Sequence, residues 1–392
     1  MSNRREFLQA AAMLSTVAAT AALPIEFVAG ETGTTDSKKV DPFFAVRKNE
    51  IENPKRKPRK IKIPDVNGFK VLKGDFHIHT LFSDGLVMPQ DRVREAVENG
   101  LDVISITDHI EYRIFLGGKA TQLKEHNDDH NISYNFAKKE AERHNLILVR
   151  GAEITKRKMP PGHLNALFLK DTNPVADAVE DWRKMVELAV GQGAFIQWNH
   201  PGWIAPKSGG LPKGTPMSFT QDHEEIRRKG WLHGIEIFNG TEFYPIVGDW
   251  CNEKDLAVIA NSDIHPSEWN KYGNQNPMRP MTLILAEERT QEAIRDAFFA
   301  KRTIGWVAGM ILGRPEVVQK LFNACVEIKN NAGTLILTNK SDITCWLKIE
   351  NQDHELKPQS NLTIKINASL KQFTVTNWLI STAKPLNVTI NG

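Results

Sequence analysis

From residue 69 onwards, apolar residues gather in short runs separated by stretches where they recur every three or four positions. The runs "FKVLKGDFHIHT" (69–80), "LDVISITDH" (101–109), "LILVRGAEIT" (146–155) and "HLNALFL" (163–169) read as strands. So do "GAFIQWNHP" (193–201), "GIEIFNG" (234–240), "LAVIANSDIH" (256–265) and "MTLILAEE" (281–288). Their near-continuous apolar character is that of strands covered on both faces, as in a parallel sheet. "PQDRVREAVENG" (89–100) has Pro at its start, apolar positions at Val93, Ala96 and Val97, and Gly100 at its end, which is the punctuation of a helix. Residues 176–191 and 290–302 read as further helices. This alternation over about 250 residues predicts an α/β fold closed as a (β/α) barrel rather than a shorter doubly wound sheet.

After about residue 316 the style changes. "ACVEIKN", "GTLILTN", "ITCWLKIE", "NLTIKINA", "QFTVTNW" and "LNVTING" are short β-forming runs separated by Asn, Gly, Asp and Lys turns. They predict a small antiparallel β-domain of sandwich type. The expected organisation is a signal peptide over 1–22, a linker over 23–65, the barrel over 66–315 and the β-domain over 316–392.

The signal peptide rests on "NRREFLQ" (3–9) leading into "AAAMLSTVAATAAL" (10–23), with Ala19-Thr20-Ala21 as a cleavage site. The pair Arg4-Arg5 followed by Phe7-Leu8 resembles the bacterial twin-arginine type. The apolar part is short for a membrane span, which needs ~20 residues. Export to the periplasm or beyond the cell is therefore expected, without stable membrane insertion once the peptide is cleaved. Composition adds little: 41% hydrophobic, 25% charged and a net charge of +3 describe an ordinary globular chain. The basic run Lys55–Lys60 is broken by Pro58 and reads as solvated linker. Nucleic acid is not an expected partner; a nucleotide substrate is compatible with the sequence. The three cysteines have neither metal-ligand nor disulfide-framework spacing and are expected as buried thiols.

His77 and His79, two apart on a strand, share one face. With 12 histidines in 392 residues, about 0.4 such pair arises by chance, so the pair alone proves little. Other metal-capable residues also fall at predicted strand ends: Asp108 and His109, Glu153, His163, His200, and Asp263 with His265. In a (β/α) barrel those ends meet at one mouth. Six histidines with Asp84, Glu153 and Asp263 gain nothing from an apolar core, where unpaired polar groups are costly to bury. A metal cluster accounts for the whole set, and imidazole with carboxylate but no thiolate suits zinc, iron or manganese.

"DFHIHTLFSDG", "GLDVISITDH", "GAEIT", "HLNALFL", "NHPG" and "NSDIH" resemble, in order, the motifs of the PHP (polymerase and histidinol phosphatase) family of metal-dependent phosphoesterases. The resemblance implies a distorted (β/α)7, TIM-like barrel carrying two or three divalent ions. It implies that His77, His79, Glu153 and Asp263 hold one ion, and that Asp84, His109 and His265 hold a second. Glu153, His163 and His200 would hold a third, with Glu153 bridging. Asp84 matches the branch with S-D-G at this point. Asp108 matches a position expected to orient neighbouring ligands through hydrogen bonds.

The expected reaction is hydrolysis of a small phosphorylated substrate by a metal-bound hydroxide, with His265 or Asp263 protonating the leaving group. An amidohydrolase-type hydrolysis or a non-catalytic metal-bearing role is the alternative. Arg113, in a long polar insertion (110–135), and Arg157 and Lys158 beside Glu153 are candidate substrate contacts. Trp203, in the loop after "NHPG", is a candidate for stacking on a base or sugar, or for packing.

Overall fold

The computed structural model describes residues 59–111, 129–154, 159–268, 271, 279–307, 309–331 and 333–390. The expected signal peptide and linker residues 23–58 lie outside the described residues, as do Arg113, Arg157 and Lys158. Residues 59–392 form one compact unit. Among the described residues, no helix is long and apolar enough to cross a membrane.

The barrel part opens with β1 (Lys70–Asp75), α1 (Pro89–Glu98), β2 (Val103–Ile106), α2 (Ile132–Arg143), β3 (Ile147–Ile154) and β4 (Leu164–Leu167). Then follow α3 (Asn173–Ala176), α4 (Trp182–Gly191), β5 (Phe195–Trp198), α5 (Gln221–Arg228), β6 (Gly234–Asn239) and β7 (Glu242–Phe243). It ends with α6 (Ile246–Lys254), β8 (Ala257–Asn261), β9 (Met281–Ala286), α7 (Gln291–Phe299), β10 (Thr303–Val307) and β11 (Met310–Gly313). Helix α1 forms as expected, with Pro89 in its first turn and Gly100 beyond its end at φ +73°, where glycine costs least.

Strands β1, β2 and β3 are parallel, as are β5, β6 and β8. The expected parallel sheet holds except at two strands: β4 runs against both β3 and β5, and β9 runs against β1. For β4 the reason is in the connection. Between β3 and β4 no helix occurs among the described residues, and a strand that returns without a crossover pairs antiparallel.

The continuous ladder does not join β8 to β1. At this seam the chain after β1 meets the chain after β8 through one isolated parallel bridge, Ile78 with Ile264, and through His79 N–H donating to the Ile264 carbonyl at 3.1 Å. Arg92 of α1 is buried against the same seam. Its Nε donates to the His79 carbonyl (2.8 Å), and its Nη2 to the carbonyls of Ile264 (3.1 Å) and His265 (2.6 Å). Its Nη1 donates to the Pro266 carbonyl (2.9 Å) and to Glu95 (2.7 Å). All five N–H groups of the guanidinium are thus used.

The opposite end of the barrel is closed by α7. Phe298 sits edge-on to Phe76, Phe195 and Phe168, with centroids 4.6, 5.1 and 5.6 Å apart. It belongs to one cluster with Leu72, Val103, Val149 and Ile259. Such edge contacts add to the gain from burying the rings.

The carboxy-terminal part begins with α8 (Pro315–Cys325) and contains β12 (Val326–Asn331), β13 (Thr334–Asn339), β14 (Cys345–Ile349) and β15 (Gln352–Leu356). Strands β16 (Asn361–Lys365), β17 (Gln372–Ser381) and β18 (Lys384–Thr389) complete it. One sheet is β12–β13–β16 and the other holds β15, β14, β17 and β18, which fits the expected antiparallel β-domain. Leu335, Leu337, Leu347, Phe373 and Val375 fill a core with Leu321 and Phe322 of α8. Strand β17 also pairs parallel with β11, Trp378 opposite Ile311 and Leu379 opposite Leu312, so the two parts share one sheet. All three cysteines are free and buried.

Two histidines, His223 buried and His233 half-buried, are structural. His223 Nδ1 accepts from the Thr220 backbone N–H (3.1 Å), its Nε2–H donates to the Pro161 carbonyl (2.8 Å), and its ring stacks 3.7 Å from Trp198. His233 Nδ1 accepts from Ile196 N–H at 2.9 Å. Burial brings each down to about 4. A proton that binds the unfolded imidazole near pH 6.5 is therefore refused by the folded one, so stability falls as pH drops from 6.5 towards 4.

Urea unfolding at pH 7.5 and 4.5 should show a stability loss smaller by about 2.5 kcal/mol in His223→Gln than in the unmodified protein. Equal losses would contradict the buried neutral imidazole. Arg92→Lys should destabilise the fold by ~3 kcal/mol or more, because lysine has three donors and no planar fork. A thermal melt unchanged by that substitution would remove Arg92 from the seam's support.

Candidate metal centre

The nine residues expected as ligands come together at one end of the barrel. His77 and His79 lie on the extended chain after β1, with Ile78 facing the core between them. Glu153 is near the end of β3, His163 precedes β4 and His200 follows β5. Asp263 and His265 follow β8, and His109 bridges to Glu153 from the chain after β2. His200 and Asp263 have positive φ, +26° and +48°. Such backbone costs of order 1–3 kcal/mol and persists where the surroundings impose it.

Glu153 is the hub. It is fully buried, and its Oε2 lies 3.3 Å from His77 Nε2, 3.2 Å from His79 Nε2 and 3.1 Å from His109 Nδ1. Its Oε1 lies 2.9 Å from His163 Nδ1 and 3.5 Å from His200 Nε2, and accepts from Asn199 Nδ2 at 2.8 Å. Asp263 Oδ1 lies 3.2 Å from His77 Nε2 and 3.1 Å from His79 Nε2. Asp84 faces His79 Nδ1 (3.3 Å) and His265 Nε2 (3.2 Å) with Oδ1, and His109 Nε2 (3.3 Å) with Oδ2.

Four of these atoms, His77 Nε2, His79 Nε2, Glu153 Oε2 and Asp263 Oδ1, are buried and have no hydrogen-bond partner. Orphaned buried polar atoms are costly, yet these four face one another at 3.1–3.3 Å along the measured pairs. Nitrogen and oxygen ligands about 2.0–2.2 Å from a common centre stand roughly 3.3–3.6 Å apart in a tetrahedron, close to these four separations. The donor set fits a divalent cation. It is also the first set implied by the family resemblance.

The remaining donors form three compact groups: His79, Asp84, His109 and His265; His77, Glu153 and His200; and His109, Glu153 and His163. All nine expected ligands take part. His77, His79 and His109 each face two groups, and His163 and His200 fall in different ones, arrangements that the resemblance did not imply.

Charge explains how the acids remain ionised. Burial pushes Glu153 up, but His109, His77 and His163 hold it well below the usual carboxylate range. Asp263 is likewise low, burial being outweighed by His77, His265 and His79. Asp84 is held down through His109 and His265 against its burial. Burial opposes charge on His79, but Asp263 and Glu153 raise it to about 10. His77 is raised for similar reasons, and His163 by Glu153.

Asp108 organises the turn that carries Asp84. It accepts from Thr80 N–H (2.7 Å), Thr80 Oγ (2.6 Å), Ser83 Oγ (2.6 Å) and Ser133 Oγ. Ser83 Oγ also lies 3.2 Å from His79 Nδ1. Gly85 is needed for space rather than for an unusual φ: a Cβ there would stand 2.5 Å from the His79–Thr80 backbone. Trp203 is half-buried, edge-on to His163 and His200 with centroids 5.3 and 5.0 Å away. A Cβ on Gly210 would meet its ring at 2.8 Å. This is a packing position beside the ligands.

The sequence reading missed the polar floor beneath the centre. Asn165, Gln197, Asn199, Glu236 and Asn261 are buried and hydrogen-bonded to one another or to the ligands. The signal was present in part, since each of Asn165, Gln197 and Glu236 is a lone polar residue inside an apolar strand run.

A PHP domain model matches residues 75–196. A two-domain protein from Bacteroides vulgatus, containing a predicted PHP-like metal-dependent phosphoesterase, is 34% identical, with a TM-score of 0.76 over 86% of this chain and 99% of that one. More distant is a protein from Bifidobacterium adolescentis put forward as a metal-dependent phosphoesterase (16% identity, TM-score 0.38, 57% of this chain and 94% of that one). An amidohydrolase from Chromobacterium violaceum reaches 14% identity and a TM-score of 0.35 over 50% of this chain and 88% of that one. No curated protein sequence matches the chain. With the Bacteroides protein matched over nearly its whole length, and the PHP domain spanning the segment that carries His77 to His163, this chain belongs to the PHP-like metal-dependent phosphoesterase family.

Proposed function

We propose that the chain hydrolyses phosphate esters at a centre of two or three divalent ions, zinc, iron or manganese. His77, His79, Glu153 and Asp263 would hold the first, Asp84, His109 and His265 the second, and Glu153, His163 and His200 the third. The observation that carries the proposal is the set of four orphaned buried donor atoms facing one another across about 3 Å. Divalent ions bound there lower the pKa of a water and take up charge from phosphoryl oxygens, which is what ester hydrolysis requires.

The chain's own residues bind, orient and exclude. His77, His79 and Glu153 are sealed from solvent, whereas the side chains of Asp263, Asp84 and His265 are 18, 21 and 33% exposed. The ester therefore approaches from the side of Asp84 and His265. His265 Nδ1 lies 3.0 Å from the Asp263 carbonyl, which orients the ring and leaves Nε2 on the Asp84 side. With Nδ1 on a backbone carbonyl and Nε2 among the donors of the second set, His265 serves as a ligand and keeps no proton free for the leaving oxygen. Asp263, whose Oδ1 is one of the four orphaned atoms, serves as a ligand in this reading. Trp203 walls the opposite side against His163 and His200. The substrate is a small phosphorylated molecule, and export through a twin-arginine-type route is supported by Arg4-Arg5 and the Ala-rich segment behind them.

In zinc- or manganese-supplemented protein, Glu153→Ala should lose bound metal by elemental analysis and cut phosphomonoester turnover by at least about 100-fold, with circular dichroism unchanged. Unaltered turnover would refute the centre. His265→Ala should lower bound metal by elemental analysis and cut kcat by about 10²-fold on an alkyl phosphate and on p-nitrophenyl phosphate alike. Full metal content with a loss confined to the alkyl phosphate would remove His265 from the ligands and mark it as the proton donor.

A further inference from the structure

Beneath the centre lies a carboxylate that none of the ligand sets uses. Glu236, on β6, is fully buried. Its Oε1 lies 2.8 Å from His77 Nδ1 and accepts from Asn261 Nδ2 at 2.9 Å and Gln197 Nε2 at 3.2 Å. Its Oε2 accepts from the His200 backbone N–H at 2.8 Å and from Asn239 Nδ2 at 2.9 Å. Four definite donors already aim at this group, so it acts as an acceptor, and the hydrogen it faces on His77 must sit on Nδ1.

That assignment fixes which nitrogen of His77 is presented to the ligand cluster. With Nδ1–H held by Glu236, it is Nε2 that faces Glu153 and Asp263, and Nε2 is one of the four orphaned atoms. The second oxygen of the same carboxylate holds the amide of His200, whose backbone is in the left-handed region. The third link runs through Asn261, whose Oδ1 accepts from Phe76 N–H at 2.7 Å, one residue before His77. Glu236 thus touches the ring of one expected ligand, the backbone of another and the strand end that delivers both His77 and His79.

We propose that Glu236 is a positioning residue that fixes the tautomer and orientation of His77 and the backbone of His200, and so sets the metal affinity of the centre. The role rests on the metal-centre reading above, but its spectroscopic test does not require a metal. Carboxylates that orient metal-binding histidines in this way typically contribute 10–100-fold to affinity.

The test uses the full chain and its Glu236→Gln variant, with zinc as the probe. In the unmodified protein, ¹⁵N-histidine NMR should show a His77 Nδ1 proton well downfield of the backbone amides, assigned through its loss in His77→Asn. This signal should be present with or without zinc. In Glu236→Gln it should vanish or move upfield, and zinc affinity by chelator competition should fall about 10–100-fold, while circular dichroism stays unchanged. Equal zinc affinity in the two proteins, or a downfield proton that persists in the variant, would overturn the proposal. If the unmodified protein bound no zinc, the metal-centre reading would fail, and the NMR signal alone would still decide the role of Glu236. If the variant failed to fold, absence of the downfield His77 proton from the unmodified protein would overturn the proposal, and its presence would uphold it.

Discussion

An acid sealed from water inside a protein stays charged only where opposite charge or hydrogen bonds surround it, and Glu153 sets that condition for this molecule. One of its oxygens faces His77, His79 and His109; the other faces His163, His200 and Asn199. Those partners come from four different segments of the chain, following β1, β2 and β5 and preceding β4. Satisfying a single carboxylate therefore requires strand ends distant in sequence to arrive together. Cations balancing the acids, whether protons on imidazoles or metal ions, are part of the structure's electrostatic solution.

The centre stands where the sheet is least regular. Regular pairing lapses between β1 and β8, and Arg92 spans the lapse by donating to the carbonyls of His79, Ile264 and His265. Thr282 on β9 ties itself to Ala260 of β8 by both accepting and donating, a side-chain substitute for ladder bonds. The positive φ of Asp263 belongs to the same region. Irregular backbone aims side chains in directions that a regular strand would not allow, and a buried guanidinium and hydroxyl supply the missing support.

Much of this was legible along the chain because it is local. The clustered residues at strand ends could be read from the change of apolar run to His, Asp or Glu, as in "ITDH" and "NSDIH". The antiparallel β4 was less legible, although the missing helix before His163 was a usable sign. Helix α8 was overlooked despite Pro315 at its start and apolar residues at 317, 318, 321, 322 and 325, because the β-forming runs beyond it dominated the reading. Strand β15, "QDHEL", exposes most of its residues and carries almost no apolar pattern to recognise. Pairings such as Arg92 with the seam, or Glu236 with His77, join residues more than 150 positions apart. No local pattern encodes them; they follow from register and burial.

The parallel pairing of β11 with β17 has a consequence for solubility. Without a neighbour, β11 would end the barrel's sheet as an open rim displaying unpaired amides beside Ile311 and Leu312, the kind of template on which foreign strands add. Trp378 and Leu379 occupy that rim from the carboxy-terminal part. The sheet then continues outwards to β15, where Gln352, Asp353 and Glu355 face water. The carboxy-terminal strands thereby move the sheet's boundary from a greasy rim to a charged one, which a second copy of the chain would find a poor template.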